Sequence, residues 1–278
     1  MEYIDKHKEI YAKRAHRMID DYIASQWNSD VNKYINIDYR DIKKELATIL
    51  TEEQKGYCCY CMRTLKEGGQ TTLEHVIPKG LKDQKEYDKY IATGLFCENM
   101  MQFTSIKNIS TPICCPPYPH HLAYENLVAS CNGELTNIQG ERVVILPQSC
   151  CNNKRGEEYI YPFFFRKDIA SLLTYEADGS LSYEDDSWET MLGKSVLNLL
   201  NKTLQMIRKT WNVIASEYSI AEVDQAKEDK ELRSEILANR NLTKEERQTL
   251  LNTTYWNLLT EYSWFYHYYK EKQSRKIS

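Results

Sequence analysis

Cys58-x-x-Cys61 constrains this chain more tightly than any other stretch. Two thiols at that spacing can bind one metal ion across the turn between them, as in a zinc knuckle. Further cysteines follow at Cys131 and at the adjacent pair Cys150-Cys151, and the total of nine is odd. The N-terminus, Met1-Glu2-Tyr3-Ile4-Asp5-Lys6, has no apolar signal region. No apolar run approaches the ~18–20 residues needed to span a bilayer. A cytoplasmic protein without membrane contact is expected. Thiols stay reduced there, so clustered cysteines favour a metal over disulfides.

Between the knuckle and the later cysteines lies Leu73-Glu74-His75-Val76-Ile77-Pro78-Lys79, a short apolar run stopped by a proline. Hydrolysis of a phosphodiester needs an activated water, a stabiliser for the charge on the phosphoryl oxygens and help for the leaving group. A neutral histidine can supply the first, and a divalent ion on one or two oxygen ligands the other two. On a strand, Glu74 and His75 point to opposite faces, so a local twist is required for both to reach one site. Asn152 or Asn153 can return a second oxygen ligand, and Lys154 and Arg155 are then placed to meet phosphates, as is Lys79. A purely structural zinc knuckle in an adaptor that recruits a protein or nucleic acid is the competing reading. A redox pair is a third, although no thioredoxin-like strand–helix pattern surrounds the cysteines.

The periodicity predicts an α+β chain that is mainly helical. Residues 9–25 have helical apolar spacing. A polar connection spans 28–38, and a second helix runs from Tyr39 or Asp41 to about Leu50. Thr51 then caps a short turn that Gly56 ends. Residues 71–76, 126–131 and 143–146 have strand character, and 81–94 can be helical. Prolines at 112, 116, 117 and 119 keep the following stretch irregular. A second metal site from Cys114, Cys115, His120 and His121 is conceivable but weaker, because adjacent thiols rarely share an ion. A helical turn starts at Cys151. Asp178-Gly179-Ser180 reads as a hairpin turn between strands at 172–176 and 181–183. Long helices follow at 187–216 and 221–238. Thr243-x-x-Glu246 is a capping box opening a last, aromatic-rich helix to about Lys272. Such a stripe is core or partner interface.

The net charge is −4. Residues 1–156 balance at 20 basic and 20 acidic, and the remaining 16 basic and 20 acidic residues supply the whole deficit. That argues against a protein that coats nucleic acid nonspecifically, so any such contact is local or comes through a partner.

The order Cys58-x-x-Cys61, Leu73-Glu74-His75-x-x-Pro78-Lys79, Asn126-Leu127, Cys131, Cys151-Asn152-Asn153-Lys154 resembles the HNH endonucleases, the zinc-containing ββα-metal nucleases. Within them it is closest to the HNH subunits of retron and Septu-type anti-phage systems. Gln54-Lys55-Gly56-Tyr57 before the knuckle is similar to that subgroup, as is Leu197-Asn198-Leu199-x-Asn201-x-x-Leu204-x-x-x-Arg208 after the core. The resemblance implies a small ββα nuclease core at 51–166, between helical regions at 1–50 and 167–278, the latter a partner or dimer surface. It implies a structural Zn²⁺ on Cys58, Cys61, Cys131 and Cys151, with Cys150 as the rival fourth ligand. His75 would be the general base, Asn126 its positioning residue, and Glu74 with Asn152 (or Asn153) the ligands of a catalytic Mg²⁺ or Mn²⁺. The implied substrate is DNA, with RNA including tRNA open, and the implied partner is an ABC-type ATPase. The sequence departs from the common pattern in the 19 residues between Cys131 and Cys151, and in offering asparagine where a histidine is frequent.

Overall fold

The computed structural model describes residues 1–26, 39–66, 71–81, 83–96, 100, 116–139, 142–145, 149–238 and 241–277. Two helices open the chain, α1 (Glu9–Gln26) and α2 (Lys43–Glu53). α1 buries Ala15, Ile19, Tyr22 and Ile23, and α2 buries Leu46, Ile49 and Leu50. α2 continues through Thr51 without a break, so Thr51 is no cap. The expected 28–38 connection lies outside the described residues.

The knuckle follows α2, and then β1 (Thr71–His75) pairs antiparallel with β2 (Leu127–Cys131). The register sets Thr71 against Cys131 and His75 against Leu127. β2 is buried at every position, because α2 and α4 (Cys151–Arg155) cover it. Between the strands lies α3 (Gln84–Ile91), whose Asp83 cap accepts from Lys85 N. β3 (Thr136–Gln139) and β4 (Arg142–Ile145) form a second hairpin, and β5 (Leu173–Tyr175) and β6 (Leu181–Tyr183) a third, preceded by α5 (Ile169–Leu172). The α+β, mainly helical class holds.

The long helices expected near the C-terminus are broken. Residues 187–216 divide into α6 (Trp188–Leu192) and α7 (Lys202–Glu217). Gly193 ends the first, and the Asn201 side chain caps the second by accepting from Leu204 N. The stretch between them has a use: the Leu197 carbonyl accepts from Cys151 N at 3.0 Å, and Asn198 Nδ2 donates to the Ser149 carbonyl at 3.1 Å. Residues 221–238 likewise become α8 (Ile220–Gln225) and α9 (Lys230–Ile236). The last helix becomes α10 (Lys244–Leu250), α11 (Thr253–Thr260) and α12 (Trp264–Ile277). The Thr243 capping box is present, and Asn252 caps α11.

The aromatic stripe faces inward. Tyr255, Trp256, Tyr262, Trp264, Phe265 and Tyr269 are all buried. Trp211 of α7 donates to the Leu259 carbonyl at 2.9 Å, and α12 packs along α7. These rings are core, while Tyr266 and Tyr268 of the same stripe are half-buried. One contiguous apolar cluster runs from Met1 to Tyr269, so 1–50, 51–166 and 167–278 share a core.

Candidate metal centre and active site

Four sulfurs converge where the knuckle, β2 and α4 meet. Those of Cys58, Cys61, Cys131 and Cys151 all lie within 4.8 Å of one another, and all four residues are buried. A tetrahedron of ~2.3 Å metal–sulfur bonds has an edge of about 3.8 Å. The Cys61–Cys131 separation is 3.7 Å. This donor set fits one ion such as zinc. Of the rivals, Cys151 belongs to the set, and Cys150 sits beside it at 3.5 Å between sulfurs. Although burial opposes it, hydrogen bonds from Cys131, Cys151, Cys59 and Cys61 hold the Cys58 thiol well below its ordinary pKa. Burial pushes Cys59 well up. All six described cysteines are buried, so none offers the exposed reactive thiol a redox enzyme needs.

Local backbone bonds explain the convergence. The knuckle closes through Cys58 N to the Arg63 carbonyl at 2.8 Å and Met62 N to the Cys58 carbonyl at 3.2 Å. Gln54 clamps it to β2: its Nε2 donates to the Ala129 carbonyl and its Oε1 accepts from Ala129 N, both at 2.7 Å. Cys151 takes φ +55°, a left-handed conformation disfavoured outside glycine, and the Leu197 carbonyl holds its N–H there.

His75 ends β1. Its Nε2 lies 3.0 Å from the His121 carbonyl. A carbonyl only accepts, so Nε2 carries the proton and Nδ1 is the acceptor of the neutral ring. Burial lowers the His75 pKa to about 4, helped by the positive charge of Lys79 and Arg155 and opposed by the bond to His121. The ring is neutral near pH 7. It lines a cleft of about 270 Å³ together with Tyr39, Arg40, Lys43, Leu73, Lys79 and His121. Asn126, fully buried, ties the two segments that set this geometry. Its Oδ1 accepts from Ile77 N at 2.6 Å, and its Nδ2 donates to the Ile77 and His120 carbonyls at 2.9 Å each.

Glu74 faces the other way, as strand alternation requires. Its Oε1 accepts from Arg155 Nη1 at 2.5 Å and from the Tyr60 hydroxyl at 3.3 Å. Burial raises its pKa while Arg155 pulls it down. Arg155, expected to meet phosphates, is turned into the interior. It is 1 % exposed and donates to Glu74, to the His75, Val76 and Glu158 carbonyls and to the Tyr60 and Tyr90 hydroxyls. Asn152 Nδ2 donates to Thr72 Oγ1 at 3.0 Å. Thr72 shares a strand face with Glu74, so Glu74 and Asn152 belong to the α4 side of β1. His75 belongs to the α2 side. Neither Glu74 nor Asn152 is among the residues lining the His75 cleft. Asn153 and Lys79 are exposed, and Lys154 is half-buried. Of the second conceivable site, His120 and His121 are buried within the described residues, whereas Cys114 and Cys115 lie outside them.

Sequence reasoning missed Arg40 and Lys43 in the His75 cleft, the anchoring carbonyl of His121, and the clamp made by Gln54. Only Gln54 carried a signal, its place beside the knuckle in the resemblance. Among the described residues no helix is long and apolar enough to cross a membrane. No family model, no curated protein and no solved structure matches the chain.

Proposed function

We propose that this chain is an HNH-type endonuclease that hydrolyses nucleic-acid phosphodiester bonds, with His75 as general base. The observation that carries this is the His75 ring itself. It is neutral, anchored through Nε2 by a backbone carbonyl, and set in a cleft walled by Arg40, Lys43 and Lys79. A neutral imidazole can take a proton from water, and the cations can hold a phosphate and stabilise its developing charge. The four thiols would hold Zn²⁺, fixing the β1–β2 hairpin against α4 away from the reaction. Glu74 and Asn152, which the resemblance gives to a second ion, bond Arg155 and Thr72 instead of facing His75. From the resemblance we also carry over DNA before RNA as substrate and an ABC-type defence ATPase as partner, which co-purification of the two chains tests.

The adaptor reading is favoured by one observation, the engagement of Glu74 by Arg155. Cleavage of labelled DNA and RNA by wild type and His75→Ala, with added Mg²⁺ or Mn²⁺, separates the two. General base catalysis contributes about 10²–10⁴-fold, so the variant should cut at least ~100-fold more slowly. No cutting by either protein with the ATPase present would favour the adaptor, and equal measurable rates would remove His75 as the base.

A further inference from the structure

The wall of the His75 cleft continues past it. A larger cleft of about 570 Å³ includes Arg40, Lys43, Lys44, Leu65 and Lys66 in its lining, so Arg40 and Lys43 border both. Arg40, Lys43, Lys44 and Lys79 are exposed. Among the described residues the side chains of Lys43, Lys44 and Lys79 make no ion pair or hydrogen bond. Two lysines open α2, the positive end of its dipole, and Ile42 gives no side-chain cap. Local electrostatics disfavours cations there. Among the described residues, Asp41, Glu45 and Glu52 are the acids nearest Arg40, Lys43 and Lys44 in the chain, and Glu52 also lines the larger cleft. Asp41 accepts from the Tyr22 hydroxyl at 3.3 Å, Glu45 lines the groove beside Arg14 and Arg17, and Glu52 pairs with Arg14 at 2.5 Å. Lys66 is paired with Glu261 at 2.7 Å. A chain of net charge −4 thus keeps a cationic wall leading to its neutral imidazole.

We infer that this wall is a track for the backbone of a nucleic-acid strand. Lys43 and Lys44, with Arg40, hold phosphates on one side of the phosphate presented to His75, and Lys79 holds the strand on the other. The inference rests on the nuclease reading and adds to it where the strand runs. Lysines on phosphates position a strand without reading its sequence, so the track treats different sequences alike.

Fluorescence anisotropy of the full chain with labelled single-stranded DNA and RNA, without added divalent ions, tests it across a fourfold range of NaCl. Removing one phosphate-binding cation lowers the salt slope by about 0.7–0.9. Lys43→Ala/Lys44→Ala should therefore bind more weakly with a slope shallower by about 1.5, its affinity falling about tenfold less across the range than that of wild type. Lys230→Ala/Lys244→Ala, on α9 and α10, should match wild type, and melting temperatures confirm that each variant folds. An unchanged slope in the folded Lys43→Ala/Lys44→Ala protein overturns the track, as does a wild type that binds neither strand. The nuclease reading fails separately: a wild type that binds the strand and never cuts it, with Mg²⁺ and the ATPase present, removes that reading and leaves the anisotropy result standing.

Discussion

Each nitrogen of the Arg155 guanidinium donates at least one hydrogen bond, so the residue acts as a buried strut between β1, the knuckle and α3. Removing it leaves the Glu74 carboxylate buried without its cation, which typically costs ~3–5 kcal/mol. Arg155→Met should lose about that much in urea unfolding, and adding Glu74→Gln should restore part of it. A loss under ~1 kcal/mol would mean the pair is not closed in solution. The histidines give a second test. Burial holds His75 near pKa 4 and His120 near 3, the latter also lowered by His121 and His75. Unfolded, both titrate near ~6.5. Between these values the unfolded chain binds more protons, so stability is full above about pH 6.5 and falls as pH drops toward the folded values. Each ring should remove ~1 kcal/mol between about pH 7.5 and pH 5.5. His120→Asn should flatten the pH dependence of the urea midpoint by its share, and an unaltered pH dependence would count against a neutral buried His120.

The elements around the metal centre depend on positions that bind nothing. Gly133 has φ +70°, and a Cβ there would lie 1.8 Å from the Cys150 carbonyl oxygen. Its own carbonyl accepts from Cys150 N at 2.9 Å. Gly133→Ala should push the Cys150–Cys151 segment away and lower metal retention although every thiol remains. Cys151→Ser should lose most of the metal and Cys150→Ser keep it, read as metal per chain after gel filtration. The reverse pattern would exchange the two ligands. The hairpin, α4 and the strand alternation were legible, because period-2 patterning and cysteine spacing are local signals. The break at 193–201 was not. The apolar stripe runs through it at helical spacing, and only the tertiary bond from Cys151 N to the Leu197 carbonyl shows why the chain unwinds there.

For the whole molecule, the sequence revealed which thiols and which histidine mattered but not which way they face. Alternation already set Glu74 against His75, and the structure keeps that opposition, with Arg155 paired to the Glu74 carboxylate. The cationic residues at 40 and 43 were invisible as site residues, since their proximity to His75 comes from packing α2 on the β1–β2 hairpin. The central claim is that a thiol-pinned hairpin presents a neutral imidazole to a phosphodiester. It is tested most directly by measuring zinc per chain and cleavage rate on the same preparations of wild type and His75→Ala. The account expects about one zinc in both proteins, with cutting confined to wild type. A His75→Ala protein that retains zinc and cuts as fast as wild type would contradict it.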